Sequence, residues 1–152
     1  MKLDKKDQQL LNVLQANART PVSELASMIS LSDTPCLRRI KKLEAANVIS
    51  GYHAAINPKA VGLHVSVYAF VRLNQNSVHA AEQFEQQIAK LAHVLECSVI
   101  SGSYDYLLKI IAADLESYES FVKHQLGSIA GIANIESTVV LKQAFTNKHL
   151  PV

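Results

Sequence analysis

The chain has no tryptophan and, in 152 residues, only two cysteines, four prolines and five glycines. The glycines stand at 51, 62, 102, 127 and 131, so there is no GxGxxG or Walker loop to cradle a nucleotide. Cys36 and Cys97 form no CxxC pair, and two cysteines do not suggest a disulfide framework. The six histidines (53, 64, 79, 93, 124, 149) show no HxH, HxxxH or HExxH spacing, which leaves a metal site without support. No serine or cysteine lies in a nucleophile motif. No apolar run approaches the roughly 20 residues that span a bilayer. The start, MKLDKKDQQLL, is charged and amphipathic rather than signal-like, so the expectation is a reduced, cytoplasmic protein without membrane partners.

What is present is a 49% apolar composition with 18% charged residues, enough for a generous core or a large buried interface. The net charge of +2 is unevenly shared. Residues 1–50 hold eight Lys/Arg against five Asp/Glu, whereas 51–152 hold seven against eight. The basic excess lies in the first third, and most of it in SDTPCLRRIKKLE, residues 32–44.

At about 100° per residue, Cys36, Ile40 and Leu43 share one stripe of that segment, with Leu37 at its edge. Thr34, Pro35, Arg38, Arg39, Lys41 and Lys42 spread over the opposite side. One face can pack on a core while the other meets phosphates and base edges, although a run such as RRIKK is also what an ordinary solvated helix shows. The upstream residues favour recognition. Leu10, Leu11 and Leu14 give Asp4–Ala16 a helical period, with Asp4 as cap and Asp7 at capping-box spacing. Residues 17–20 break it. Pro21 follows Thr20, a capping residue, and opens a short helix through Val22, Leu25, Ala26 and Ile29. Ser30-Leu31 is a tight link and the Ser32 hydroxyl can cap the basic helix, which ends near Asn47. Two short helices joined in this way read as a helix-turn-helix.

Residues 48–63 read as a short strand and hinge closed by Gly62. Val65–Leu73 then alternates with apolar groups on both faces, which predicts a strand covered on both sides. A Ser77-capped helix follows (78–91), then strands over 94–101 and 104–113, a second amphipathic helix with Leu115, Tyr118, Phe121, Val122 and Leu126, and a last strand over 135–145. The order is βαββαβ, a ferredoxin-like unit. Its helices cover one sheet face. The other carries large apolar residues and predicts sheet-on-sheet packing in a dimer, which places two recognition helices on one duplex. Tyr104 and Tyr106 are expected on one face and Asp105 on the other.

The chain resembles the leucine-responsive regulator/AsnC (feast/famine) family of transcription factors. The likeness rests on Leu3-Asp4, Asp7 and Leu10-Leu11, on Arg19 with Glu24-Leu25-Ala26, on Leu31-Ser32 before TPCLRRIKKLE, on Val48-Ile49-Ser50-Gly51-Tyr52, and on Gly102-Ser103-Tyr104-Asp105-Tyr106-Leu107-Leu108. It implies an α+β protein: an N-terminal three-helix winged helix-turn-helix (1–47), a hinge (48–63), a C-terminal ferredoxin-like βαββαβ (RAM) domain (64–145) and a tail (146–152). It further implies double-stranded DNA as partner, no cofactor, dimers that assemble into octamers or similar discs, and a small amino-acid effector such as leucine or methionine bound between subunits. By matching position the effector site should involve Val99 and the turn Gly102, Ser103, Tyr104, Asp105, with Leu115, Thr138, Val139 and Val140 contributing from nearby or from a neighbouring subunit. A glycine turn lets N–H groups approach a ligand carboxylate, and Asp105 offers the charge an α-ammonium needs. An aspartate in a turn serves as well to hold neighbouring backbone. At DNA the expected residues are Ser32, Thr34, Pro35, Arg38, Arg39, Lys41 and Lys42, with Thr34 and Arg38 toward base edges and Lys41 and Lys42 toward phosphates.

Two other readings are weaker. A dimeric ferredoxin-like enzyme of the small monooxygenase kind needs a polar catalytic centre and leaves 1–47 unexplained. RNA binding on the sheet needs exposed aromatics with basic neighbours on the central strands, and YDYLLKIIAA has tyrosines only at its start.

Overall fold

Helix α1 (Lys5–Ala16) begins where two aspartates face each other across one turn. Asp4 Oδ1 accepts the Asp7 N–H at 2.8 Å and Asp7 Oδ2 accepts the Asp4 N–H at 3.2 Å, the expected capping box. In this computed structural model, which describes residues 2–75 and 77–152, the chain forms two units. One holds the chain through Ala55 together with Ala144–Val152, and the other is Ile56–Gln143.

In the first unit, α2 (Val22–Met28) starts on Pro21, whose carbonyl accepts the Leu25 N–H at 2.9 Å. Thr20 does not cap it; its hydroxyl donates back to the Asn17 carbonyl at 2.8 Å and closes the turn after α1. Ser30 takes a left-handed conformation (φ 54°), and the Leu31 N–H reaches the Ala26 carbonyl at 2.8 Å, so the chain turns into α3 (Asp33–Ala45). Ser32 stands at the cap position without a side-chain cap bond, contrary to expectation. Asp33 in the first turn supplies the negative charge that a helix start favours. Asn47 (φ 52°) ends α3, and the Val48 and Ile49 N–H groups both donate to the Leu43 carbonyl.

Leu10, Leu25, Ala26, Ile29, Cys36 and Leu43 are buried where the three helices meet. Each Leu or Ile there contributes about 1.5–3 kcal/mol by leaving water. Cys36 is core, as its place in the stripe suggested, and burial pushes its thiol up, with Asp33 adding to the effect. The winged form is not found: among the described residues, 48–57 form no strand, because nothing in this chain pairs with that extended segment.

The second unit opens with a 3-10 turn at Pro58–Val61 and then runs β1 (Val65–Leu73), α4 (Val78–Ile88), β2 (Val94–Val99), β3 (Tyr106–Ala112), α5 (Leu115–Phe121) and β4 (Ile132–Val139). The sheet is antiparallel in the order β2-β3-β1-β4, the ferredoxin-like arrangement. A π-helical turn, Val122–Leu126, extends α5; the Gly127 N–H closes it on the Val122 carbonyl at 2.7 Å. A Cβ on Gly127 would lie 2.8 Å from that oxygen, which is why glycine stands there. The final strand stops at Val139 rather than 145, because its partner β1 begins at Val65 and leaves nothing to pair beyond.

Val67, Ala69 and Val71 of β1 join Leu108, Ile110, Phe84, Ile88, Phe121 and Leu126 in one core between sheet and helices. The opposite face carries Ser66, Tyr68 and Phe70, half-buried, and Arg72, exposed. Within one chain that face is uncovered.

Candidate functional sites: a DNA-facing helix and a divided effector site

On α3, Thr34, Arg38, Lys41 and Lys42 are all exposed and fall within about 100° of one another around the axis. Ser32 lies exposed at the start of the same helix, and Pro35 is half-buried at its flank. Arg39 is different in its contacts. One turn-step away from that face, its Nη1 donates to Asp4 Oδ2 at 2.7 Å and to Asp7 Oδ1 at 2.6 Å. Asp7 is the one buried charged residue among those described, at 1% exposure, and Arg39 is its counter-ion. The two carboxylates that cap α1 thus also fix α3 against it. The Asp7 N–H and then Arg39 hold the Asp4 carboxyl below its ordinary range, and Asp4 and then Asp7 hold the Arg39 guanidinium above its own. Lys6 adds a bond from its ammonium to the Ile29 carbonyl.

The second site forms where the end of β1 meets the approach to β3. Gly102 takes φ 123°, a left-handed backbone that other residues rarely adopt, with open space where a Cβ would project. The Ser103 carbonyl accepts from Arg72 Nε at 2.8 Å and Nη2 at 2.5 Å, while Asp105 Oδ2 accepts the Leu73 N–H at 2.7 Å. Two successive residues of β1 therefore hold the turn, Arg72 through its guanidinium and Leu73 through its backbone N–H. A depression of about 150 Å³ opens beside it, lined by Leu73, Gln75, Ser77, Ala81, Val99, Ile100, Asp105 and Tyr106. Asp105 Oδ1 makes no hydrogen bond among the described residues. A larger groove of about 390 Å³, with Glu85, Leu95, Cys97 and Val99 in its lining, runs between α4 and β2.

Tyr104 and Tyr106 do not share a face as expected. Tyr106 is buried on the helix side, its ring 4.6 Å from Phe84 and its hydroxyl donating to Glu85 Oε1 at 2.9 Å. Burial first, and then Glu85, push its phenol up to about 12. Tyr104 is on the open side, 5.6 Å from Phe70, beneath the Arg72 guanidinium and bonded to Glu136. Period-two alternation fails because β3 begins only at Tyr106; Tyr104 and Asp105 still belong to the bend.

The remaining expected effector residues lie at the other end of the sheet. Leu115 starts α5, three residues beyond the end of β3, and is 57% exposed. Thr138 pairs with Tyr68 and Val139 with Val67, and the Val140 N–H donates to the Ser66 carbonyl. Through β1, Thr138 is level with Lys109 and Val139 with Ile110, so the group starts four residues, about 13 Å of strand, from Asp105 and runs past the end of β3. One chain does not bring them together. Leu73, Gln75, Ser77, Ala81 and Ile100 escaped the sequence reading, although pairing of β1 with β3 requires the residues after β1 to flank the turn before β3.

A three-helix DNA-binding unit joined to a ferredoxin-like unit with a ligand-sized depression defines a ligand-responsive transcriptional regulator. Residues 3–44 match the AsnC-type helix-turn-helix domain and residues 66–150 the Lrp/AsnC ligand binding domain. The chain belongs to the Lrp/AsnC family of transcriptional regulators, which are not enzymes. It is 37% identical over 140 residues to the proline dehydrogenase transcriptional activator of Rhodobacter capsulatus, covering 92% of this chain and 91% of that one. With the leucine-responsive regulatory protein of Escherichia coli K12 it shares 33% over 150 residues, 99% and 92% of the two chains. A transcriptional regulator of Neisseria meningitidis, solved as a complex with L-methionine, superposes with a TM-score of 0.93 at 35% identity, over 99% of this chain and 97% of that one. Among the described residues no helix is long and apolar enough to cross a membrane.

Proposed function

We propose that this chain is a cytoplasmic regulator that reads double-stranded DNA with α3 and whose assembly or DNA affinity is set by a small apolar amino acid held at the Asp105 turn. Thr34 and Arg38 reach base edges from the N-terminal part of α3, Lys41 and Lys42 hold phosphates, and Ser32 leaves the helix start open to the backbone. The depression beside Asp105 carries the effector reading. One carboxylate oxygen is committed to Leu73 and the other is available to an ammonium, against walls of Leu73, Ala81, Val99 and Ile100. The L-methionine complex of the Neisseria relative supports the same ligand class, leucine or methionine included. Leu115, Thr138, Val139 and Val140 belong to this site only if a neighbouring subunit delivers them, which an octamer or similar disc built from sheet-to-sheet dimers would do.

The test is a thermal-shift screen of the twenty amino acids on the whole protein, followed by sizing with and without the hit. Asp105→Asn keeps the acceptor for Leu73 and removes the charge. It should abolish the shift while leaving the dimer folded; calorimetry showing unchanged amino-acid affinity would remove Asp105 from the site. On a duplex selected from a random pool, Arg38→Ala should cost about 1–3 kcal/mol and relax sequence preference. Lys42→Ala should weaken all duplexes alike and reduce the salt slope by about 1.

A further inference from the structure

The last nine residues, Ala144–Val152, leave the sheet unit and belong to the DNA-binding unit. The Leu150 N–H donates to Gln15 Oε1 at 2.7 Å, and Gln15 Nε2 donates back to the Leu150 carbonyl at 3.2 Å. Asn12 Nδ2 reaches the Val152 carbonyl oxygen at 3.5 Å. A primary amide presents one donor and one acceptor side by side, so a single glutamine can satisfy both backbone groups of one residue, as a neighbouring strand would. Asn12 and Gln15 are three apart on α1 and therefore adjacent on one face. Within the tail, the His149 N–H donates to Asn147 Oδ1 at 3.0 Å, a local turn that shapes the chain just before Leu150.

We infer that the face of α1 bearing Asn12 and Gln15 is a peptide-acceptor surface whose occupant is this chain's own C-terminal segment, latched by Gln15. Leu150 is 68% exposed, so hydrogen bonds and not burial of Leu150 hold it at Gln15. Nothing in this reading depends on which effector, if any, binds at Asp105.

Limited trypsin digestion of the full-length protein tests it. Lys148 lies inside the docked segment and Lys142 before it, so each molecule carries its own control. Gln15→Ala should speed cleavage after Lys148 several-fold and leave Lys142 unchanged. Gln15→Glu keeps the acceptor for the Leu150 N–H but loses the donor, and should fall between the two. Hydrogen exchange at the Leu150 amide should accelerate in the same order. Equal Lys148 cleavage in all three proteins would overturn the latch. Protection of Lys148 that vanished on dilution would also overturn it, since the occupant would then be the tail of a second copy.

Discussion

The helix-turn-helix unit is finished within one chain, and the sheet unit is not. On α3 every exposed residue expected at DNA faces one way, and the helix is locked by an ion pair to the cap of α1. In the sheet unit, Val99 and Asp105 lie at one end, Leu115, Val139 and Val140 at the other, and a face bearing Tyr68, Phe70 and Leu107 has no cover. A DNA reader needs only one surface, presented rigidly. On the function proposed above, a ligand switch would need a site whose completion depends on how copies come together, and pieces held apart in the monomer would provide that dependence.

The sharpest way to break this contrast is Phe70→Asp. A charge at the centre of the open face should dissociate the assembly to monomers in sedimentation, raising the dimer dissociation constant by about a thousandfold or more, some 4 kcal/mol. The helical content should stay, since the core lies on the other side of the sheet. A dimer that survived would move the interface elsewhere. Next comes Arg39→Ala, which leaves Asp7 buried without its counter-ion. It should destabilise the DNA-binding unit by about 2–3 kcal/mol in urea unfolding, whereas neighbouring Arg38→Ala should change stability little. Equal stability of the two variants would contradict the division of labour between adjacent arginines.

The smallest effect is alkaline. Burial raises the Tyr106 phenol to about 12, and burial with the bond to Glu44 does the same for Tyr52. A phenol raised above its unfolded value favours the folded state fully below pH 10 and loses that contribution as pH rises toward 12. Tyr104, bonded to Glu136, and Tyr118, by burial, are raised as well, so ultraviolet titration should show Tyr52 and Tyr106 among the late-ionising tyrosines, with Tyr106→Phe removing one late step. Early ionisation of Tyr106 would mean that its contact with Glu85 is not maintained in solution.

Much of the fold was legible because it rests on short-range rules. The Asp4/Asp7 spacing gave the cap of α1, and strict alternation gave both ends of β1. The ion pairs of Arg39 are not legible in the sequence, because angular position alone puts it at the margin of the basic face and its partners are 32 and 35 residues earlier, beyond the reach of a periodicity argument. Tyr104 lies on the face opposite to Tyr106 because β3 begins only at Tyr106, and strand alternation does not extend into a bend. The wing failed for a related reason: an extended sequence becomes a strand only when another pairs with it. The effector residues could be named from family likeness, but the distance between their two groups is a property of the sheet, visible only once the register of β1 with β3 and β4 is known.

Two adjacent residues of β1 fasten the 102–105 turn, Arg72 with its guanidinium on the Ser103 carbonyl and Leu73 with its backbone N–H on the Asp105 carboxylate. A second sheet laid over Phe70 and Tyr104 and an amino acid held at Asp105 would therefore act on the same few atoms. Two ligands that share a support influence each other equally in both directions. If dimerisation tightens the turn, the amino acid strengthens the dimer by the same factor. Amino-acid affinity then becomes a function of protein concentration, so that the cell's stock of the regulator enters its sensitivity to the nutrient it reports.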